Sequence, residues 1–215
     1  MNPFSIEYVF FQLGGYPVSL IELIGSLAGL VSVWWAARAN ILTWPMGIIN
    51  CIAFGVLFYQ ARLYSDMFLQ LFFLGFTVYG WRSWHTRREE TAQGIHVLSM
   101  PGRLIGISLV GLLVLLWGYL ISKIHLIWPG LFPEPAALPY TDAFISMMSI
   151  AATILLGRKV LESWLCWILV DMVSIYAYFK KDLAVVGFEY VVFLGMAIFG
   201  WLNWWKLYRL QPGKK

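Results

Sequence analysis

Phe73-Leu-Gly-Phe-Thr-Val-Tyr-Gly-Trp-Arg-Ser-Trp84 and Phe193-Leu-Gly-Met-Ala-Ile-Phe-Gly-Trp-Leu-Asn-Trp204 share Phe, Leu, Gly, Gly, Trp and Trp in one ungapped register, 120 residues apart. The register runs outward from these blocks without a gap. Arg38 meets Arg158, Trp44 meets Trp164, Leu63 meets Leu183, and Glu22 meets Asp142 at the start of the first helix of each unit. A third-helix match of this kind predicts a duplicated chain: three helices, a linker helix, and three more. Because the linker is a single helix, it restores the orientation of the first unit in the second. The halves are then parallel repeats about an axis along a membrane normal, which places a substrate site between them at mid-membrane.

The composition supplies the membrane. Of 215 residues, 60% are apolar or aromatic and only 12% are Asp, Glu, Lys or Arg, about half the usual charged share of a globular domain. A spanning helix takes roughly 20 apolar residues, and apolar runs lie near 19–39, 42–60, 64–84, 103–123, 141–157, 161–180 and 183–205. The fold class expected is an all-α integral membrane protein with seven spans. Its divisions are an N-terminal segment 1–18, a first repeat 19–84, a basic loop with linker helix 85–140, a second repeat 141–205, and a basic tail 206–215. Residues 4–13 are too short to cross and carry Glu7, which suggests an interfacial helix. No Lys or Arg precedes Arg38, so the start is expected to be mature protein rather than a cleaved signal. Among the connections, Arg38, Arg82, Arg87, Arg88, Arg103, Arg158, Lys159, Lys206, Arg209, Lys214 and Lys215 fall on one side; Arg62, Lys123, Lys180 and Lys181 fall on the other. The positive-inside bias predicts a cytoplasmic C-terminus and an outside N-terminus. Nucleic acid is excluded as a partner, since the net charge of +4 is topogenic loop bias.

Polar side chains at membrane depth cost about 2.5 to 3.5 kcal/mol at a span centre, so each needs a reason. Asn50 falls near the middle of the second span and Asp171 near the middle of the sixth. Gln70 lies in the third span one turn from Asp66, with Tyr190 as its repeat counterpart, and Glu189 lies in the seventh. On the sixth span Trp164, Trp167, Asp171, Ser174 and Tyr178 make one helical stripe, with Lys180 beyond it. Most tryptophans lie near span ends, where an aromatic belt explains them; Trp167 lies too deep for that. Interhelical hydrogen bonding is the competing explanation for Asn50 and Gln70, and a helix-to-helix bond or a partner such as Lys180 is the competitor for Asp171. Gly25 with Gly29, and Gly102 with Gly106, read as packing pairs.

His85, His96 and His125 all lie in connections, and Cys51 and Cys166 lie singly in apolar runs. No metal site, cofactor or catalytic nucleophile is therefore expected, and the protein is not expected to be an enzyme. A retinal photoreceptor would want a Lys midway along the last span, and none lies between Leu183 and Trp205. A carboxylate, amides, tyrosine and a deep tryptophan suit a flat, hydroxylated ring, cationic or neutral. Nicotinamide riboside carries all of the matching groups; thiamine and other nucleosides carry fewer.

Trp164-Leu-Cys-Trp167-Ile-Leu-Val-Asp171 on to Lys180, the segment Trp44-Pro45 to Asn50, and Leu63-Tyr64-Ser65-Asp66 to Tyr79-Gly80-Trp81 resemble the PnuC family of bacterial vitamin B3 transporters, itself related to the SWEETs. The resemblance extends from about Leu20 to Trp205. It implies a SWEET-like 3+1+3 arrangement in the bacterial inner membrane and uptake of nicotinamide riboside by facilitated diffusion. It further implies trapping by a cytoplasmic ribosylnicotinamide kinase and a homo-oligomer such as a trimer. The substrate-binding set carried forward is Asn50, Asp66, Gln70, Trp164, Trp167, Asp171, Tyr178, Lys180, Glu189 and Tyr190. Within the family, thiamine, riboflavin and deoxynucleosides are the alternative cargoes; a receptor or membrane enzyme is the alternative from another class.

Overall fold

The structure, a computed structural model, describes residues 4–5, 8–13, 16–60, 64–89, 94–130, 135–136, 138–180 and 184–211, without the side chains of 13, 16, 58, 64–68, 86–89, 178 and 184–186. A short hairpin, β1 (Val9–Leu13) and β2 (Tyr16–Ser19), leads into seven helices. These are α1 (Leu20–Ala37), α2 (Thr43–Gln60), α3 (Tyr64–Glu89), α4 (Met100–Ile127), α5 (Pro139–Gly157), α6 (Glu162–Lys180) and α7 (Ala184–Arg209). The chain forms two compact units, Met1–Gln93 and Gly94–Lys215.

The hairpin corrects one expectation. Residues 9–13 do not form an interfacial helix but pair antiparallel with residues 16–19, Val9 opposite Ser19 and Leu13 opposite Tyr16. The run Tyr8-Val9-Phe10-Phe11 is rich in aromatic and β-branched residues, which favour extended backbone. The backbone carbonyl of Phe4 accepts from Gln60 Nε2 at 2.8 Å, tying the start of the chain to the end of α2.

All seven helices fall on the expected spans, with α3, α4 and α7 running a turn or so further. Leu20–Ala37, Met100–Ile127 and Pro139–Gly157 are, among the described residues, long and apolar enough to cross a membrane by length and composition alone. α4 starts at a Ser99 cap, whose hydroxyl accepts from the Gly102 N–H at 3.3 Å, with Pro101 in its first turn where no N–H is needed. Ile107 is 71% exposed and Leu115 62% exposed on it. Such a helix suits lipid, where apolar exposure carries no penalty. Its contact with α5 is made at Gly118, against which the Tyr140 ring lies. The Gly102 and Gly106 pair, in contrast, packs against no other helix: a Cβ at Gly106 would meet nothing within 4 Å, and Gly102 faces its own cap.

Within the first unit α1 packs on α2 and α2 on α3; within the second α4 packs on α5, α5 on α6 and α6 on α7. The same local devices recur in each at repeat-equivalent residues. α1 ends on Arg38 (φ −92°, ψ 8°) and α5 on Arg158 (φ −92°, ψ 6°), followed by left-handed Ala39 (φ 52°) and Lys159 (φ 54°). Asn40 N–H reaches Trp35 O at 2.9 Å and Val160 N–H reaches Leu155 O at 2.9 Å, completing a Schellman cap in each case. The Trp44 ring lies on Gly80 and the Trp164 ring on Gly200. Trp44 is edge-on to Trp84 at 5.4 Å and Trp164 to Trp204 at 5.7 Å.

Candidate functional site

α6 carries the stripe expected from its spacing, and it is the buried face of that helix. Ser163, Trp164, Val170, Asp171, Ser174 and Ala177 are buried and Trp167 is half-buried, whereas Leu165, Leu169, Met172 and Tyr176 are exposed. The stripe holds two kinds of residue. Trp164 is 1% exposed and wedged between Gly200 and Trp204, so its ring is part of the α6–α7 seam. Asp171, 4% exposed, has no ion pair or hydrogen bond among the described residues. Neither has the hydroxyl of the fully buried Ser174, one turn further on.

Free hydroxyls are not the habit of this chain. Thr77 Oγ1 donates to Phe73 O at 2.8 Å, Thr153 Oγ1 to Ser149 O at 2.8 Å, and Ser122 Oγ to Tyr119 O at 2.7 Å, each satisfied by its own helix. Ser163 is the other unpartnered buried hydroxyl among the described residues, and the repeat explains it. Its counterpart Thr43 donates to Ser32 O at 2.9 Å while Ser32 Oγ donates to Thr43 O at 2.8 Å, but Ser32 is replaced by Ala152 in the second unit.

In the first unit the candidates are engaged. Asn50 Nδ2 donates to the Gly25 carbonyl at 2.9 Å across the α1–α2 seam, and a Cβ at Gly29 would come within 2.8 Å of that same nitrogen. Gly25 and Gly29 therefore act as the packing pair their spacing suggests, and Asn50 makes the interhelical bond that competes with a ligand role. Gln70 is half-buried, facing α2 where Gly55 leaves room. Asp66 sits on α3 and Tyr178 on α6, but their side chains lie outside the described residues.

The remaining candidates belong to the second unit. Lys180 is exposed at the last residue of α6, about 13 Å along the helix from Asp171 at 1.5 Å per residue. Glu189 and Tyr190 are half-buried on α7, with the Tyr190 ring 6.0 Å from that of Phe193. No group of three or more His, Cys, Asp or Glu residues that could hold a metal occurs among the described residues.

One interaction has no sequence signal at all. Glu162, at the start of α6, accepts from the Leu98 N–H at 3.1 and 3.2 Å and from Arg103 Nε at 2.9 Å. Arg103 Nη2 also lies 2.9 Å from the same carboxylate. Beside it His96 bridges to Val160 in parallel, His96 N–H reaching Lys159 O at 3.2 Å and Leu161 N–H reaching His96 O at 2.9 Å. The segment before α4 is thereby latched to the turn between α5 and α6.

A family model described as nicotinamide mononucleotide transporter matches residues 19–206. The chain is 30% identical to the nicotinamide riboside transporter PnuC of Escherichia coli K12, over 94% of this chain and 95% of that protein. It is 24% identical to the riboflavin/roseoflavin transporter RibM of Streptomyces davaonensis, over 86% of this chain and 84% of that one. A crystal structure of the vitamin B3 transporter PnuC superposes with a TM-score of 0.65 at 24% identity, covering 87% of this chain and 81% of that chain. The helical fold is that of the solved transporter, the match runs through all seven helices, and the chain belongs to the PnuC family of membrane transporters.

Proposed function

We propose that this protein takes up nicotinamide riboside across the bacterial inner membrane as a uniporter. The observation that carries the reading is Asp171: a buried, unpartnered carboxylate on an aromatic stripe at mid-helix, in a chain whose Escherichia coli relative is named for the riboside. A cationic pyridinium riboside supplies what such a site lacks, a positive ring for the carboxylate and for the π-face of half-buried Trp167, with hydroxyls for the neighbouring polar groups. The matched caps and Trp–Gly–Trp seams support reading the chain as a 3+1+3 duplication. On that reading the two three-helix units rock in alternating access about a fixed site. The N-terminus lies outside and the C-terminus in the cytoplasm, a reading supported by the positive-inside bias of the loop charges. Uptake is downhill and becomes accumulation when a cytoplasmic kinase phosphorylates the product. The remaining proposed ligand residues are Asn50, Asp66, Gln70, Trp164, Tyr178, Lys180, Glu189 and Tyr190.

RibM supports one rival cargo, riboflavin. Proteoliposomes containing the purified protein separate the two. Labelled nicotinamide riboside should equilibrate without an ion gradient and should accumulate only when the kinase and ATP are enclosed. Riboflavin or thiamine entering in preference to the riboside would overturn the substrate assignment, and accumulation driven by a sodium or proton gradient would overturn uniport.

A further inference from the structure

Asp171 and Ser174 lie three residues apart on one face of α6 and are 4% and 0% exposed. Neither has a hydrogen-bonding partner among the described residues. A buried hydroxyl or carboxylate without a partner is costly, and a serine inside a helix has an inexpensive remedy in the carbonyl one turn back. Thr77 and Thr153 take that remedy here, and Ser174 does not. Its hydroxyl is unpaired, one turn along the helix from a carboxylate that also lacks a partner among the described residues.

The first unit holds different residues at the same two positions. The register of the repeat sets Cys51 against Asp171 and Phe54 against Ser174. Cys51 is a buried thiol, a weak hydrogen-bonding group that tolerates an apolar setting, and the Phe54 ring packs on Gly25, where a Cβ would lie 3.1 Å from it. The first unit thus fills these positions with groups that need no polar partner. The second unit instead buries a carboxylate and a hydroxyl that have no partner among the described residues.

Side chains three apart on a helix are surface neighbours about 5 to 6 Å apart at Cβ. A carboxylate that only accepts, next to a hydroxyl that accepts and donates, complements two adjacent hydroxyls. We propose that Asp171 and Ser174 together bind the vicinal 2′,3′-diol of the ribose, the carboxylate accepting from one hydroxyl and Ser174 Oγ bonding the other. This rests on the riboside reading and adds Ser174 to the site. It also makes the second unit the half that reads the sugar, and the pair becomes a filter for an intact ribose.

Binding to the purified full-length protein tests it, using nicotinamide riboside, its 2′-deoxy and 3′-deoxy analogues, and thiamine, which has no sugar. Ser174→Ala should weaken the riboside by about 3- to 10-fold, the range of one hydrogen bond. For the analogue lacking the hydroxyl that Ser174 holds, the same substitution should cost nothing further, because the two deletions remove one interaction. Asp171→Asn should show the same non-additivity with the other analogue, so the pair remains testable if one variant folds poorly. Equal losses for the riboside and both analogues, or no loss at all, would overturn the diol assignment while leaving riboside transport standing. Wild-type protein that binds thiamine but not the riboside would overturn the function reading, and the diol assignment with it.

Discussion

The indole of Trp164 stands edge-on to that of Trp204, with ring centroids 5.7 Å apart and planes at 79°, and its benzo ring lies flush on Gly200. The same arrangement joins Trp44, Trp84 and Gly80 in the first unit. Each seam works only because a helix backbone is bare where a large ring must lie. A Cβ at Gly200 would sit 2.6 Å from Trp164 Cε3 and Cζ3, and both rings are rigid and at most 1% exposed, with no route of retreat. Gly200→Ala should therefore destabilise by at least about 1 to 3 kcal/mol, the usual cost of overpacking. Gly80→Ala should do the same. Gly195→Ala is the control, since a Cβ there would meet nothing within 4 Å. Thermal unfolding in detergent should rank the three variants in that way; a destabilised Gly195→Ala equal to Gly200→Ala would show that helix glycines matter here for some reason other than ring contact.

The caps of α1 and α5 hold a second prediction. Ala39 and Lys159 adopt φ near 52° and 54°, a region that costs an L-residue with a side chain roughly 1 to 2 kcal/mol. Ala39→Gly removes that cost, less the extra chain entropy of glycine, and a net gain of about 0.5 to 1 kcal/mol is expected. Lys159→Gly should gain similarly in backbone terms. Its backbone carbonyl, which holds the His96 N–H, is kept. A lower unfolding temperature for Ala39→Gly would count against a left-handed cap.

Glu162 fastens the segment before α4 through Leu98 and Arg103. The side chain of Arg103 is 44% exposed, so its ion pair contributes little on its own. The backbone amide of Leu98 has more at stake because it is part-buried. Glu162→Ala should leave that N–H unpaired, and its hydrogen exchange should accelerate by an order of magnitude or more. Arg103→Ala should accelerate it much less. Equal acceleration would mean that the salt bridge, and not the amide cap, holds the segment.

Much of this fold is legible in the sequence, since apolar runs near 20 residues admit few alternatives and the seven helices fall on them. The stripe on α6 is legible too, because a period of 3.6 is a property of the chain alone. What is not legible is satisfaction. Asn50 and Asp171 look alike as polar residues in apolar runs, yet Asn50 donates to Gly25 and Asp171 has no such partner among the described residues. Only the packing of α1 on α2 reveals the difference. Ser174 falls on the predicted stripe, but nothing in its spacing says that its hydroxyl is free. The Glu162 latch joins residues 59 and 64 positions apart, and the pairing of 9–13 with 16–19 forms in a run too short for its periodicity to separate strand from helix.

Trp167 is half-buried on the stripe between two well-packed residues, Trp164 and Asp171. A ring that packing does not enclose is available to stack on a ligand. Trp167→Phe should keep part of the affinity for nicotinamide riboside, and Trp167→Ala should lose most of it, since both π-face and contact area go. If the two variants bind equally, the ring serves packing instead.

The family model carries the name of the mononucleotide and the Escherichia coli relative that of the riboside, and charge is expected to separate the two for this chain. A phosphate adds roughly 1.5 to 2 negative charges near neutral pH. At mid-helix on α6 it would meet the carboxylate of Asp171, and no Lys or Arg lies near the centre of any of the apolar runs. Like charges in a poorly solvated site repel strongly, with no cation at that depth to offset the desolvation. Lys180 is the nearest cation on α6, and it is exposed at the helix end. Nicotinamide mononucleotide should therefore fail to displace labelled riboside at concentrations where unlabelled riboside competes fully. On the proposed function, that exclusion would make intracellular phosphorylation a trap, since the product would no longer fit the route by which its precursor entered. Competition by the mononucleotide at comparable concentration would refute the exclusion. Its loss in Lys180→Ala would then identify the lysine as a phosphate partner that reaches inward during transport.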